Sequence, residues 1–187
     1  MISVEFLSEF KRETEERWRK KSLEPEIYGF QFQAGTRWLP GLPDKQIQAY
    51  ENEVYVHFPS DFAAFLRMMN GTDLPTLNIY GNSGEPSREW VGVYSYPRNL
   101  DIVLKRISEA VEDRDTLTST LAEQGYALSS TAELMPIYAH RCVVCDEAQE
   151  SCVVLSVWDS EDAIVYGYTL QEYLEREFLD KTPSWAG

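Results

Sequence analysis

The residues with the clearest chemical potential lie between positions 140 and 152, where HRCVVC at 140–145 is followed by Cys152. One imidazole and three thiols within 13 residues are ligands that zinc accepts in proteins. The spacing argues against a zinc site, because Cys142 and Cys145 project to opposite faces of a strand and the two valines between them disfavour a tight turn. We therefore expect these thiols to be buried, as free cysteines commonly are.

No redox or nucleophilic catalytic motif accompanies these residues. A thioredoxin-type C-x-x-C motif opens a helix, which lowers the pKa of its first thiol, and no helix is predicted at Cys142. His57 and His140 are the two histidines of the sequence, and neither belongs to a local nucleophile signature. The sequence also lacks GxSxG, HExxH, P-loop and GxGxxG motifs. We therefore expect neither enzyme activity nor a cofactor.

Acidic side chains form two clusters near predicted turns: Asp146, Glu147 and Glu150, then Asp159, Glu161 and Asp162. Neither cluster has the alternating oxygen ligands and the central glycine of a calcium loop. Paired glycosidase carboxylates would need a fixed separation across a cleft, which a sequence does not show. Solvated turns explain both clusters. The functional alternative is an acidic docking surface for a basic protein, and these six residues are its candidate partner-binding residues.

Arg141 and a group of aromatic side chains are the other residues of interest. A guanidinium inside a strand is costly unless it is paired, so we expect Arg141 to meet Asp159 or Glu133 in a structural role. Three aromatic residues are candidates for an exposed recognition patch: Trp90, Tyr94 and Tyr96. Burial is the commoner fate of such residues.

The composition predicts one folded domain, with or without an extension, in a chain of 187 residues. Hydrophobic residues make up 43% and aromatic residues 13%, which excludes a disordered chain. No apolar run is long enough to cross a bilayer, and the charged N-terminal segment lacks the apolar core of a signal peptide. Three cysteines, an odd number, predict no closed disulfide framework. We expect a cytoplasmic protein without membrane contact.

The net charge of −14 belongs mainly to the C-terminal half. Residues 1–100 carry 14 acids and 11 bases, a net of −3, whereas residues 101–187 carry 17 acids and 6 bases, a net of −11. Binding to phosphates needs clustered Lys and Arg, so nucleic acid is not expected as a direct partner. The simplest explanation of this charge is that an acidic surface keeps the protein soluble. A basic protein partner is also compatible, because charge complementarity accelerates association and selects partners.

The first hundred residues predict three helices and short strands. The helices span 3–21, 44–53 and 58–71, and strands or extended stretches span 27–33, 76–80 and 90–94. In the third helix four apolar residues recur at helical spacing: Phe62, Phe65, Leu66 and Met69. Ser60 or Asp61 is expected to cap its start, and Asn70-Gly71 its end. The segment WLPGLP at 38–43 predicts a turn-rich connector.

The rest of the chain predicts a long helical segment, four strands and a final helix. The helical pattern at 99–123 is interrupted by polar residues around 112–116. Four short apolar runs separated by acidic turns predict an antiparallel meander: 135–138, 142–145, 152–158 and 163–166. Thr169 is expected to cap the last helix. We therefore predict a single-domain α+β fold, with N-terminal helices followed by a mainly antiparallel sheet flanked by helices.

Two motifs in this order resemble the SUKH superfamily of Smi/Knr-like domains. The first, P-x-D-[FY]-x-x-[FL]-[FL]-x-x-x-N-G, is carried by Pro59, Asp61, Phe62, Phe65, Leu66, Asn70 and Gly71. The second is MPIYAHR at 135–141, followed by VVLSVWDSEDAIVYGYTLQEYLEREF at 153–178. The resemblance implies a SUKH-like domain over residues 36–187, preceded by a helix and strand extension over residues 1–35.

The resemblance implies a non-enzymatic binding scaffold. Many bacterial members of the family resemble immunity proteins that bind and neutralise polymorphic or contact-dependent toxins, often nucleases or deaminases, and fungal relatives are regulators that act through protein contacts. The expected function is therefore an immunity protein whose acidic half binds a basic toxin domain. One alternative is a regulatory or scaffolding interaction domain without a toxin partner. The other is a zinc-binding protein that uses His140, Cys142, Cys145 and Cys152.

Overall fold

The computed structural model describes residues 1–110, 112–146 and 152–181, which form an α+β fold as predicted. Helices α1 to α6 of this described part are Val4–Lys20, Asp44–Val54, Ser60–Met68, Leu100–Ala110, Arg114–Glu123 and Leu170–Leu179. Its strands β1 to β9 are Gly29–Phe32, Trp38–Pro40, Met69–Thr72, Thr76–Ile79, Arg88–Trp90, Glu133–Tyr138, Arg141–Cys145, Val154–Val157 and Ala163–Gly167. Among these residues, no helix is both long and apolar enough to cross a membrane.

The strands pair antiparallel in three sheets. The predicted meander is confirmed, since β6, β7, β8 and β9 pair in chain order. A second sheet has the order β1-β4-β5, and β2 pairs with β3. A bridge between Val93 and Tyr138 joins the segment after β5 to the meander, next to the hydrogen bond from Tyr94 N–H to Ile137 O at 3.0 Å.

The N-terminal helix belongs to the same hydrophobic core as the rest of the chain. Ser3 caps α1 by accepting the Phe6 N–H, and the helix then buries Leu7, Phe10 and Trp18. The ring of Trp18 stacks on Phe32 with 4.6 Å between centroids. Each such buried side chain contributes about 2 kcal/mol of hydrophobic free energy. Residues 1–35, predicted as an extension, therefore take part in the central packing.

The helix predicted over 58–71 is shorter than expected, because α3 ends at Met68 and Met69 is already extended in β3. Neither Ser60 nor Asp61 caps the start, where Pro59 occupies the N-cap position. The Asp61 carboxylate instead accepts the Ile2 N–H at 2.8 Å. The C-terminal prediction failed because residues 69–72 pair with β2 instead, and this contact is between segments that lie far apart in the sequence.

Strand β2 is the second correction, since WLPGLP was predicted to be only a connector. Trp38 faces Thr72 and Pro40 faces Met69 across this short pair. The Asn70 side chain is also fixed in β3, where its amide donates to Tyr96 O at 2.7 Å. These long-range contacts place the segment, and no local propensity signals them.

Helices α4 and α5 confirm the interruption predicted around 112–116. Helix α4 ends at Ala110, and α5 begins at Arg114 after Asp113 accepts the Thr116 N–H at 3.2 Å. The Arg114 guanidinium donates to the carbonyl oxygens of Ser129 and Ala132, which holds the start of α5 against the chain that leads into β6. The turn between these helices forms one wall of the cleft described below.

The meander separates two groups of buried side chains. The main core includes residues from α1, α2, α3 and α6 together with Val143, Cys145, Cys152 and Val154. The second core includes residues of α5 together with Cys142, Val144, Val153 and Leu155. Alternate residues along β7 and β8 therefore point to opposite faces, as a strand requires.

Candidate functional site

A cleft of about 510 Å³ lies between the α4–α5 turn and the ends of β6, β7 and β8. Four carboxylate side chains line it: Glu109, Glu112, Asp113 and Asp159. Pro136, Ala139, Cys142 and Val157 supply a largely apolar floor. His140, Trp158 and Arg106 also line the cleft. We call this surface the acidic cleft.

Local structure already holds three of the four carboxylates in place. Glu109 pairs with Arg106 at 3.2 Å, one helical turn away. Asp113 caps α5, and its hydrogen bonds with Thr116 lower the pKa of its carboxyl group. Asp159 accepts two backbone N–H groups of its own turn at 2.9 and 2.8 Å. These bonds hold the negative charges at defined positions on the cleft wall.

Glu112 and Trp158 are the groups most open to a partner. The Glu112 side chain is exposed and forms no hydrogen bond or ion pair with another described residue. Trp158 is 66% exposed, which is unusual for a tryptophan. Its indole packs edge-on against His140 with 5.5 Å between ring centroids. An exposed indole beside carboxylates suits a cationic side chain, which the ring face and the negative charges both attract.

His140 is neutral and contributes no positive charge to the acidic cleft. Arg141 Nη1 donates to His140 Nε2, which makes Nε2 an acceptor and assigns the ring proton to Nδ1. Burial is the main cause that lowers the pKa of His140 to about 4, and the positive charges of Arg141 and Arg106 add to it. The imidazole therefore serves as packing for Trp158 and as an acceptor for Arg141.

Arg141 pairs with Glu177 of α6, and not with Asp159 or Glu133 as predicted. Its Nε lies 2.9 Å from Glu177 Oε2, and both side chains are less than one-sixth exposed. The guanidinium also covers the Tyr166 ring at 3.9 Å from the centroid. The prediction failed because Arg141 projects toward the face of the meander on which α6 packs, and α6 lies outside any local sequence context.

The proposed aromatic recognition patch is also wrong. Tyr94 and Tyr96 are buried, and their hydroxyl groups donate to Ala139 O at 2.9 Å and to the Glu53 carboxylate at 2.7 Å. Trp90 alone of the three is at the surface, where the Arg106 guanidinium lies 5.4 Å from the centre of its indole ring. The exposed aromatic residue at the cleft is Trp158, which sequence reasoning did not select.

The predicted acidic residues separate into three groups in the structure. Asp159, Glu161 and Asp162 are exposed in the turn between β8 and β9, and Asp159 lines the acidic cleft. Asp146 is only 9% exposed, so little of its side chain is open to a partner. Glu147 and Glu150 lie outside the described residues.

Three carboxylates of the acidic cleft were missed because they lie far from the predicted acidic turns. Glu109, Glu112 and Asp113 sit at the α4–α5 junction, which the sequence marked only as an interruption of a helix. The acid-rich run EDRD at 112–115 was the available signal. Its position opposite residue 159 depends on packing of α5 against β9, which no local pattern reveals.

The four candidate zinc ligands do not converge on one site. Cys142 lies in the second core, whereas Cys145 and Cys152 lie in the main core on the other face of the sheet. Within the described ranges, no group of three or more His, Cys, Asp or Glu side chains is placed to hold a metal ion. Burial raises the pKa of Cys142 to about 12, so this thiol stays protonated at neutral pH.

The acidic cleft therefore offers four carboxylates, of which only Glu109 is in an ion pair with a described residue, and an exposed indole. This arrangement can hold a basic or cationic group of a partner. No protein-family model, curated protein or solved structure matches this chain.

Proposed function

We propose that this chain is a non-enzymatic immunity protein that acts in the cytoplasm and neutralises a basic toxin domain, such as a nuclease, by direct binding. One observation carries the proposal. Four carboxylates and an exposed tryptophan line a single concave surface, the acidic cleft, on a chain with a net charge of −14. The partner's basic side chains would enter this surface.

The physics of the cleft favours a cationic partner. A single exposed ion pair is worth about 0–1 kcal/mol, because water screens both charges. Several carboxylates on one concave wall attract a cation together, and low-dielectric walls focus their field. Glu112 adds a charge that no described neighbour neutralises. Such an arrangement mainly accelerates association and selects the partner.

Two groups in the cleft support binding over catalysis. His140 accepts a hydrogen bond from Arg141 and its pKa is lowered to about 4 by burial, so it is a weak base at neutral pH. The Cys142 thiol is buried and protonated, which makes it a poor nucleophile. The toxin as the class of partner comes from the sequence resemblance to the SUKH superfamily, whose bacterial members resemble immunity proteins.

The proposal is tested by identifying the partner and measuring protection. The tagged chain is purified from its native cells, and proteins that remain bound are identified by mass spectrometry. Each is then expressed in a susceptible host with and without this chain. We expect a basic protein that stops growth when it is expressed alone and that is harmless when this chain is present.

Two outcomes would contradict an immunity function. If the bound protein is harmless when expressed alone, the regulatory or scaffolding alternative gains support. If a toxic partner is recovered but growth still stops in the presence of this chain, binding occurs without neutralisation. A variant of this chain that fails to fold, checked by circular dichroism, serves as the negative control for protection.

A further inference from the structure

Cys145 and Cys152 occupy facing positions across the β7–β8 pair. The register of this pair is Arg141 with Ser156, Cys142 with Leu155 and Val143 with Val154. The Val144 N–H donates to Val153 O at 2.8 Å, which extends the same register by one step. The next facing pair along the strands is Cys145 and Cys152.

The pattern of hydrogen bonds also defines how close the two residues come. Because Val144 and Val153 form a hydrogen-bonded pair, the following pair is of the non-hydrogen-bonded type. Residues in such pairs have Cα atoms about 4.5 Å apart, with their side chains on the same face. A disulfide spans Cα separations of about 4.4–6.8 Å. Cys145 and Cys152 both point into the main core, as this geometry requires.

We propose that Cys145 and Cys152 form a reversible cross-strand disulfide when the chain meets a low-molecular-weight disulfide such as oxidised glutathione. One cysteine thiolate attacks the small disulfide, which forms a mixed disulfide and releases one glutathione thiolate. The other cysteine then attacks the protein sulfur of that mixed disulfide and releases the second glutathione. Two protein thiols are oxidised, one small disulfide is reduced, and the two protons pass to the released thiolates.

The surroundings of the pair make the reaction slow in the closed structure, whereas the facing positions of the two thiols favour the disulfide at equilibrium. The two residues are 5% and 1% exposed, and burial raises the pKa of both thiols. Attack by either thiolate on the small disulfide therefore requires local unfolding of the paired strands. The free energy of such unfolding is lowest near the ends of strands. The product carries no charge, so it is compatible with the apolar core that disfavours either thiolate. Oxidation is expected to be fastest during folding, before the thiols are buried.

The proposed pairing leaves one of the three cysteines as a free thiol. Cys142 faces Leu155 in the second core, on the other side of the sheet, and stays a free thiol. The disulfide would place residues 146–151 in a covalent ring. This segment contains three of the acidic residues predicted for docking. The proposal does not depend on the identity of a partner or on the proposed immunity function.

The test is refolding in a redox buffer, because unfolding exposes every thiol. The reduced chain is unfolded in guanidinium chloride and diluted into mixtures of reduced and oxidised glutathione. Thiols are then blocked with an alkylating agent and counted by mass spectrometry. We expect the count to fall from three to one, with a linked peptide that joins Cys145 to Cys152. Dithiothreitol should restore all three thiols.

A matched set of variants identifies the pair. C142A should keep the disulfide, whereas C145S and C152S should each lose it. The dithiol-to-disulfide equilibrium constant should be at least about tenfold higher in the folded chain than in guanidinium chloride. Three free thiols after refolding in oxidising mixtures, or a linked peptide that contains Cys142, would overturn the proposal. If C145S or C152S fails to fold, peptide mapping of the wild-type chain still decides between these results, because it identifies the two cysteines in the linked peptide.

Discussion

The adjacent residues His140 and Arg141 owe their charge states to different neighbours. Arg141 stays charged because Glu177 compensates its burial, whereas His140 stays neutral because it is partly buried beside two guanidinium groups. The need of Arg141 for a partner was predictable from its place in a strand. The identity of that partner was not, because Glu177 lies 36 residues further along the chain on a helix that packs across the sheet.

Removing one member of the buried ion pair should destabilise the fold. We expect E177A to lower the free energy of unfolding by about 3 kcal/mol, because it leaves a buried guanidinium without its counter-charge. The double variant R141M/E177L should lose less than E177A alone, since it removes both charges. Urea denaturation measures both values. E9A, which removes a carboxylate from an exposed pair, should change stability by less than about 0.5 kcal/mol. Equal losses for E177A and E9A would contradict this interpretation.

His140 should make stability depend on pH below neutrality. The unfolded imidazole binds a proton near its ordinary pKa of 6.5, whereas the folded one does so only near 4. The unfolded state therefore binds more protons between these values, and stability falls as the pH drops from 6.5 to 4. After allowance for partial exposure, we expect about 1–2 kcal/mol from this residue.

The measurement is the difference in free energy of unfolding between wild type and H140Q as a function of pH. Carboxylates affect both proteins equally, so the difference isolates the imidazole. This difference in free energy should change between pH 6.5 and 4 and stay constant below pH 4. A difference that stays constant with pH would show that His140 has the same pKa in the folded and the unfolded chain.

At the scale of elements, the ends of helices and strands were harder to predict than their presence. The meander, the interruption near 112–116 and the Thr169 cap of α6 follow from local pattern and agree with the structure. The end of α3 does not, because β3 replaces its predicted last turn. Gly71 does adopt a positive φ of 78°, but inside a strand that lies against residues 93–95.

Gly71 should therefore be intolerant of any side chain. A Cβ at this position would lie 2.6 Å from both Ser95 Cβ and Val93 O. We expect G71A to destabilise the fold by about 3 kcal/mol or more, from a strained backbone and a steric clash together. Gly84 is the matched control, because its φ is 81° but no atom lies within 4 Å of the point that a Cβ would occupy.

G84A should cost about 1 kcal/mol, which is the backbone penalty alone. Thermal and urea denaturation of both variants separate the two contributions. If G71A and G84A lose the same stability, the close approach of residues 93–95 does not constrain Gly71.

At the scale of the whole molecule, the sequence predicted the excess of acids in the C-terminal half but not the surface that concentrates them. The acidic cleft joins residues 109–113 to residues 158–160, and only the packing of α4 and α5 against the meander brings them together. Composition therefore favours a basic partner, as we propose, but does not locate the surface that would bind it. The positions of Glu112 and Trp158 on one surface required the three-dimensional structure.

The central claim is that the acidic cleft is the surface that binds the basic partner. The most direct test is the affinity of the co-purified partner for the variant E112K/D159N, measured by calorimetry. Asn at position 159 keeps an oxygen that can accept the hydrogen bonds of the turn, so this variant changes charge with little effect on local structure. The control E24K/E5Q makes the same change in net charge, at exposed positions outside the cleft.

We expect E112K/D159N to bind the partner at least about tenfold more weakly than wild type, and the control to bind within about twofold of it. The difference between wild type and E112K/D159N should shrink as salt is added, because salt screens the carboxylates of the cleft. Equal affinities for E112K/D159N and the control would contradict the claim and place the binding surface elsewhere on the molecule.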